Sequence, residues 1–321
     1  MPVTDSAHSA HRTRSVLKNV LAVEQFDRAL LDELFAHAGE MRQVVDDGGS
    51  DRLRGKILAT LFFEPSTRTR LSFESAMTRL GGAVLSTENA RETSSFAKGE
   101  TIEDTARIVA GYADALVIRH PEEGAPARAA SVVDRPVINA GDGSHEHPTQ
   151  ALLDLYTIQH ELGRIDSLRI AMVGDLKYGR AAHSLALLLA QTRGTELTLV
   201  SPPNVRLPET VRETLSAAGI AVRDEADLMA VVPRVDVLYV TRVQRERFRS
   251  AEDYAEARGR YVIDEAVMAA LNPRAILMHP LPRVDEISPR VDHDPRSVYF
   301  REAHNGVYVR MALLDWLLGS G

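Results

Sequence analysis

From residue 56 onward the chain alternates two hydrophobic patterns. Short, nearly unbroken apolar runs recur: KILATLFF (56–63), AVLS (83–86), ALVIRH (115–120), PVINAGDG (136–143), LRIAMVGD (168–175), ELTLVSPP (196–203), VDVLYVTR (235–242) and AILMHPLP (275–282). Runs of this length without apolar–polar alternation predict strands covered on both faces. Between them the apolar positions fall three and four apart, as a one-sided helix requires. After KILATLFF, such a face carries Phe73, Met77 and Leu80, and Gly81-Gly82 stops it. Further helices are predicted at 101–112, 148–163 (Pro148 in its first turn), 181–194, 208–219 and, last, 306–319 (GVYVRMALLDWLLG).

Strand–helix alternation predicts an α/β protein: two doubly wound parallel-sheet domains joined by helices, with an active site in the interdomain cleft. The expected division is residues 1–149 plus 304–321 for one domain and 150–303 for the other, with the helix at 148–163 as hinge. Residues 1–14 read as a mobile, weakly basic tail.

Sheets of this kind bind ligands at the carboxyl ends of their strands. Six predicted strands are each followed by a polar loop: STRTR (66–70), RHPEEG (119–124), GDGSHEHPTQ (141–150), GDLKYGR (174–180), TRVQRER (241–247) and HPLPRVDEI (279–287). Scattered surface charge does not predict that placement.

The first loop opens a helix, where unpaired backbone N–H groups and the positive helix end attract anions. Ser66, Thr67 and Thr69 add hydroxyl donors and Arg68 adds a guanidinium fork, a set suited to phosphate. Read alone, the same residues also fit a plain N-cap beside a solvated basic face. No GxxxxGK[ST] or GxGxxG pattern is present, so nucleotide and dinucleotide loops are not indicated. His147 and Gln150 sit where a strand gives way to a helix; the histidine could donate to a developing oxyanion and the glutamine could hold an amide or amine. His145 and His147 have metal-ligand spacing, but no third ligand is evident, and neither metal nor cofactor is expected. Arg180 and Arg242 each follow a strand, and together they would suit a substrate with two carboxylates. The prolines around Leu281 stiffen a loop that can hold its carbonyls in a fixed direction.

Composition narrows the class. The chain has 321 residues, 44% hydrophobic and 26% charged, with a net charge of −7, which disfavours a nucleic-acid partner. It has no cysteine, so disulfides, thiolate nucleophiles and Cys-bound zinc are excluded and a cytoplasmic location is expected. No apolar run is long enough for a membrane span.

The segments FFEPSTRTR, GETIEDT, RHPEEGA, NAGDGSHEHPTQALLDLYTI, MVGDLKYGR, YVTRVQRER and HPLPRVDEI, in this order, resemble the aspartate carbamoyltransferase family, and the similarity runs from about residue 50 to 316. The resemblance implies transfer of the carbamoyl group of carbamoyl phosphate to L-aspartate, a step of pyrimidine synthesis. It implies that Ser66, Thr67, Arg68 and Thr69 hold the phosphate. Arg119 would reach phosphate and carbonyl, polarising the latter with Thr69 and His147. Gln150 would hold the carbamoyl amino group, and the Leu281 carbonyl, with Pro282 beside it, would orient the incoming or the carbamoyl nitrogen. Arg180, Arg242 and Gln244 would take the aspartate carboxylates. Ser94 and Lys98 would enter the neighbouring subunit's site, which implies a homotrimer with shared sites. Glu64 would cross the cleft to Arg180 and Arg247, and Glu246 would steer Arg242. A regulatory chain or a dihydroorotase as further partner is left open. Ornithine carbamoyltransferases share STRTR and HP-x-Q but carry a cysteine in an HCLP motif, where this chain has HPLP. An inactive relative would be expected to lack a phosphate-loop or carboxylate-binding residue, and none is missing.

Overall fold

A computed structural model describes residues 17–88, 99–243, 245, 248 and 250–319. Two parallel sheets organise them. The first contains β1 (Ile57–Phe62), β2 (Ala83–Glu88), β3 (Ala115–His120) and β4 (Val137–Asp142), in the order β2-β1-β3-β4. The second contains β5 (Arg169–Val173), β6 (Glu196–Val200), β7 (Ala221–Asp224), β8 (Val237–Val240) and β9 (Ile276–Met278), in the order β7-β6-β5-β8-β9. All strand pairs within both sheets are parallel.

The helices, in chain order, are α1 (Arg28–Asp46), α2 (Thr67–Arg79), α3 (Ile102–Ala110), α4 (Ala125–Ser131), α5 (Pro148–Leu162), α6 (Arg180–Leu189), α7 (Glu209–Ala217), α8 (Leu228–Val231), α9 (Ala251–Ala257), α10 (Glu265–Ala270) and α11 (Tyr299–Leu318). β3 has the predicted bounds and α5 starts at the predicted Pro148. Most of the apolar runs become buried strands, β4 and β8 at every position, whereas AVLS becomes the largely exposed edge strand β2. The α2 face is buried through Phe73, Ala76 and Met77, with Leu80 just beyond the last turn.

Three differences are informative. Helix α11 begins at Tyr299, seven residues before the expected start, because YFREAHN is helical despite its polar character; Tyr299, Glu302 and Asn305 within it are buried. Helix α1 lies ahead of the first predicted element, and it buries Leu31, Leu34, Phe35, Ala38 and Met41. Strand β7 has an exposed, polar pattern that gave no apolar signal. The predicted tail at 1–14 lies outside the described residues.

Helix α5 connects the last strand of the first sheet to the first strand of the second. Helix α11 follows the second sheet in sequence yet packs on α1, α2 and α5. The outer edge of β4 is covered by the chain before α1, with Val20 N donating to Val137 O and Asn139 N to Val20 O. Both sheets change winding direction once, between β1 and β3 and between β5 and β8. Each such reversal leaves a crevice at the carboxyl ends of the two strands.

Candidate active site

The two crevices open into one cavity of about 680 Å³. Loops after β1, β4, β5, β8 and β9, with Arg119 near the end of β3, form its wall. Every sequence-predicted site residue among those described lines it: Glu64, Ser66, Thr67, Arg68 and Thr69 on one side, Arg119, His147 and Gln150 beside them, and Arg180, Arg242, Leu281 and Pro282 from the second sheet. Ser94, Lys98, Gln244, Glu246 and Arg247 lie outside the described residues.

At the α2 N-terminus the residues of STRTR take separate positions. Ser66 occupies the N-cap position, yet its hydroxyl makes no capping hydrogen bond, so it is available to a ligand together with the first-turn N–H groups. The two arginines have separate tasks. Arg68 faces the cavity. Arg70 is tied to Glu74 at 3.4 Å and Glu88 at 2.9 Å, and so braces α2 against β2.

Glu64 Oε2 lies 3.3 Å from Arg180 Nη1 and 3.6 Å from Arg119 Nε, one carboxylate between guanidiniums from the two halves of the molecule. Arg180 Nη1 also donates to Gly143 O at 2.7 Å, and Arg119 Nη1 to Ala140 O at 3.3 Å. Gly141, at φ +116°, is what lets them converge: a Cβ there would stand 3.1 Å from Arg180 Cζ and 3.3 Å from Arg119 Nη1.

His147 is buried, with Nε2 3.5 Å from the Thr69 hydroxyl. Burial, and then the charges of Arg119, Arg180 and Arg310, hold its proton affinity well below the ordinary histidine value. At neutral pH it is therefore an uncharged N–H donor. His145, by contrast, points to Asp142 at 3.4 Å, and that hydrogen bond pushes it up to about 9. The two histidines of the HxH spacing thus serve different neighbours. Among the described residues no group of three or more side chains is arranged to hold a metal.

Gln150 donates from Nε2 to Asp154 Oδ1 at 2.8 Å, which leaves its Oε1 as an acceptor toward the cavity. Leu281 has φ +54° and its N–H donates to His279 Nδ1 at 2.8 Å, so the loop's carbonyls are held. His279 Nε2 is in turn anchored on Glu286 at 2.8 Å.

Sequence reasoning missed the floor of the cavity. Glu302 and Arg310 of α11 line it, and Asp154 of α5 and Tyr239 of β8 lie beneath, all four buried. Arg310 stacks 5.0 Å above the Phe73 ring, and burial brings its proton affinity down to about 10, so it remains cationic. The signal that could have found them is a lone charge inside an apolar helix face: Arg310 in VYVRMALL, Asp154 in ALLDLY.

Residues 18–160 match the family model of the aspartate/ornithine carbamoyltransferase carbamoyl-P binding domain, and residues 166–317 match that family's Asp/Orn binding domain. The chain belongs to this family. Among curated relatives it is 53% identical, over 95% of its length and 98% of the other's, to the aspartate carbamoyltransferase catalytic subunit of Methanopyrus kandleri. It is also 53% identical to the chloroplastic aspartate carbamoyltransferase of Arabidopsis thaliana, over 94% of this chain and 78% of that one. Among solved structures, the aspartate transcarbamoylase catalytic subunit of M. jannaschii superposes with a TM-score of 0.87 at 46% identity, covering 94% and 98% of the two chains. The Trypanosoma cruzi enzyme in complex with N-(phosphonacetyl)-L-aspartic acid gives 0.88 at 42%, covering 94% and 96%. The family's two domains thus correspond to the two sheets that wall the cavity.

Proposed function

We propose that this chain is an aspartate carbamoyltransferase, transferring the carbamoyl group of carbamoyl phosphate to the α-amine of L-aspartate to give N-carbamoyl-L-aspartate and phosphate, a step of pyrimidine synthesis. The observation that carries the reading is the facing of an anion cradle at the α2 N-terminus by two arginines, Arg180 and Arg242, from the other sheet. Structural relatives in complex with carbamoyl phosphate and aspartate, and with carbamoyl aspartate and phosphate, support it.

In this reading Ser66, Thr67, Arg68 and Thr69 hold the phosphate. Arg119, Thr69 and neutral His147 donate to the carbonyl oxygen, where negative charge develops as the unprotonated amine attacks. Gln150 Oε1 and the Leu281 carbonyl, beside Pro282, accept from the carbamoyl NH2. Arg180, Arg242 and Gln244 take the aspartate carboxylates. Holding both substrates in attack geometry contributes up to ~7–11 kcal/mol in favourable systems. The leaving phosphate accepts the amine proton, so no separate general base is assigned. Glu64 bridges the halves, aided by Arg247, and Glu246 steers Arg242.

The division of the chain follows the same logic: residues 1–149 with 304–321 form the carbamoyl-phosphate half and 150–303 the aspartate half. The return of α11 onto α1 and α2 supports this. A homotrimer completes the site, with Ser94 and Lys98 supplied by a neighbour; exposed Leu71 of α2 and Leu85 of the edge strand β2 are consistent with a covered surface there. The absence of cysteine favours a reducing, cytoplasmic setting. A larger assembly is compatible with the 48% identity to a stretch of the multifunctional protein pyr1-3 of Dictyostelium discoideum, of which this chain spans 14%.

The deciding assay offers carbamoyl phosphate to the purified chain with L-aspartate or L-ornithine. Product with aspartate alone is expected. Product with ornithine overturns the assignment of Arg180 and Arg242, and no product with either overturns the enzymatic reading of the isolated chain. Native mass measurement in parallel tests the trimer.

A further inference from the structure

Two carboxyl groups meet under the cavity floor. Asp154 of α5 and Glu302 of α11 are 0% and 1% exposed, on two helices packed against each other, and each carboxyl perturbs the other's proton. An ionised carboxylate can only accept, and two buried like charges repel, so the pair favours a proton on one of them. Their contacts say which. Asp154 accepts twice, from Gln150 Nε2 at 2.8 Å and from the Tyr239 hydroxyl at 2.8 Å. Glu302 Oε2 accepts from the backbone N–H of His279 at 2.9 Å, while its Oε1 has no donor directed at it. An oxygen that carries the proton needs no donor. The buried Arg310 guanidinium favours the charge on Asp154. Burial, then repulsion from Asp154, pushes Glu302 well above the ordinary carboxylate range, and burial brings Asp154 up to about 6.

This pair touches both acceptors assigned to the carbamoyl nitrogen. Asp154, as an acceptor, fixes the amide of Gln150 with Nε2 inward and Oε1 toward the cavity. Glu302 holds the N–H of His279, whose Nδ1 accepts from Leu281 N at 2.8 Å. The pair therefore touches the supports of two acceptors that come from different halves of the molecule.

We propose that Glu302 carries the proton of a Glu302–Asp154 pair, and that the pair is a positioning device that makes the site select an acyl phosphate bearing NH2 over its methyl isostere. This rests on the carbamoyltransferase reading above. An NH2 group donates two hydrogen bonds to Gln150 Oε1 and the Leu281 carbonyl; a methyl group donates none and leaves both unpaired. Asp154→Asn can present its own N–H to Gln150 and turn the amide round. Glu302→Leu removes the proton at similar volume. Glu302→Gln keeps an N–H donor toward Asp154.

The test compares kcat/KM for carbamoyl phosphate and acetyl phosphate, each with L-aspartate, in the whole enzyme and the three variants. Asp154→Asn and Glu302→Leu are expected to lower the carbamoyl-to-acetyl ratio by ~tenfold or more, the effect of one lost hydrogen bond of ~1.4 kcal/mol. Glu302→Gln is expected to keep most of the ratio. A merely structural role would slow both substrates alike, so an unchanged ratio in Asp154→Asn and Glu302→Leu overturns the proposal, as does a fall in Glu302→Gln equal to that in Glu302→Leu. Infrared spectroscopy of the resting protein supplies an arm that needs no turnover and stands even if a variant fails to fold. In a Glu146→Gln background, which removes the other carboxyl whose proton is held to about pH 7, a protonated-carboxyl band that persists to a pH well above the ordinary carboxylate range is expected with Glu302 present and absent in Glu302→Gln; its absence with Glu302 present overturns the assignment of the proton. Lack of any carbamoyl transfer by the parent enzyme would instead refute the reading on which the selectivity claim rests.

Discussion

Replacing Glu64 with glutamine tests the electrostatics of the cleft directly. The substitution preserves volume and removes one charge from between two others. Glu64 Oε2 is 3.3 Å from Arg180 Nη1 and 3.6 Å from Arg119 Nε, and all three side chains are less than a quarter exposed. At these separations, and with an effective dielectric of ~20, each pair is worth about 5 kcal/mol of direct attraction. Desolvation and water reaching through the cleft reduce the net effect to ~1–2 kcal/mol per pair. Without the carboxylate, the two guanidiniums converging on Gly141 repel each other and withdraw from the positions in which they would meet phosphate and aspartate. The expected result is a loss of ~10–100-fold in kcat/KM for aspartate, at ~1.4 kcal/mol per factor of ten, with the oligomer intact. Steady-state kinetics with aspartate varied at saturating carbamoyl phosphate measures it. An unchanged kcat/KM refutes the reasoning. A lower KM for aspartate refutes it more specifically, because Glu64 would then be a competitor for Arg180 rather than its guide.

Arg242→Ala should raise the KM for aspartate by ~10–100-fold while leaving equilibrium binding of carbamoyl phosphate within about threefold, which calorimetry can separate from the kinetics. Gly141→Ala places a methyl group against both guanidiniums at a positive φ and should cost ~1–2 kcal/mol of stability together with most of the activity, read from thermal unfolding and turnover. Glu146 provides a pH test. It is buried, accepts from Val23 N at 3.0 Å and from the Ser184 hydroxyl at 3.4 Å, and faces Glu24, Asp142 and His145; burial raises it from 4.5 to about 7. The folded state then holds this proton more tightly than the unfolded chain, so stability falls as pH climbs from about 4.5 to about 7 and is level above that, by at most ~3 kcal/mol. Glu146→Gln should flatten that part of the Tm-against-pH curve and raise Tm at pH ~8; an unchanged slope rejects the assignment.

Much of this architecture could be read from the chain, and for a physical reason. Interior parallel strands are covered on both faces, so ALVIRH and VLYV carry their own label. Their polar successors then have to lie at the strand ends. Edge strand β7, half in solvent, gave no such signal. Helix α11 shows the other limit. Its first two turns bury Glu302 and Asn305 because those groups find partners across the molecule, in His279, Asp154, Thr157 and Arg42. Periodicity scores them as surface, since partners that far away in sequence leave no local trace. The proposed anion cradle could be singled out because its residues are contiguous; the floor could not, because it is assembled from α5, β8 and α11.

The path of α11 bears on how the protein comes into being at the ribosome. The strands and helices of the first sheet emerge early, but the helix that caps α1 and α2 is made only after the entire second sheet. Until then α1 and α2 lack the cover that α11 gives them, and Phe73 lacks the guanidinium that will sit above it. The early half must wait, partly formed and open to wrong partners, while the later half folds beside it. Helix α11 also brings Glu302 and Arg310, so closing the first core and finishing the cavity floor are a single late event. A nascent chain interrupted before Tyr299 would lack both, and would present itself to proteases and chaperones as an unfinished fold rather than as an inactive enzyme.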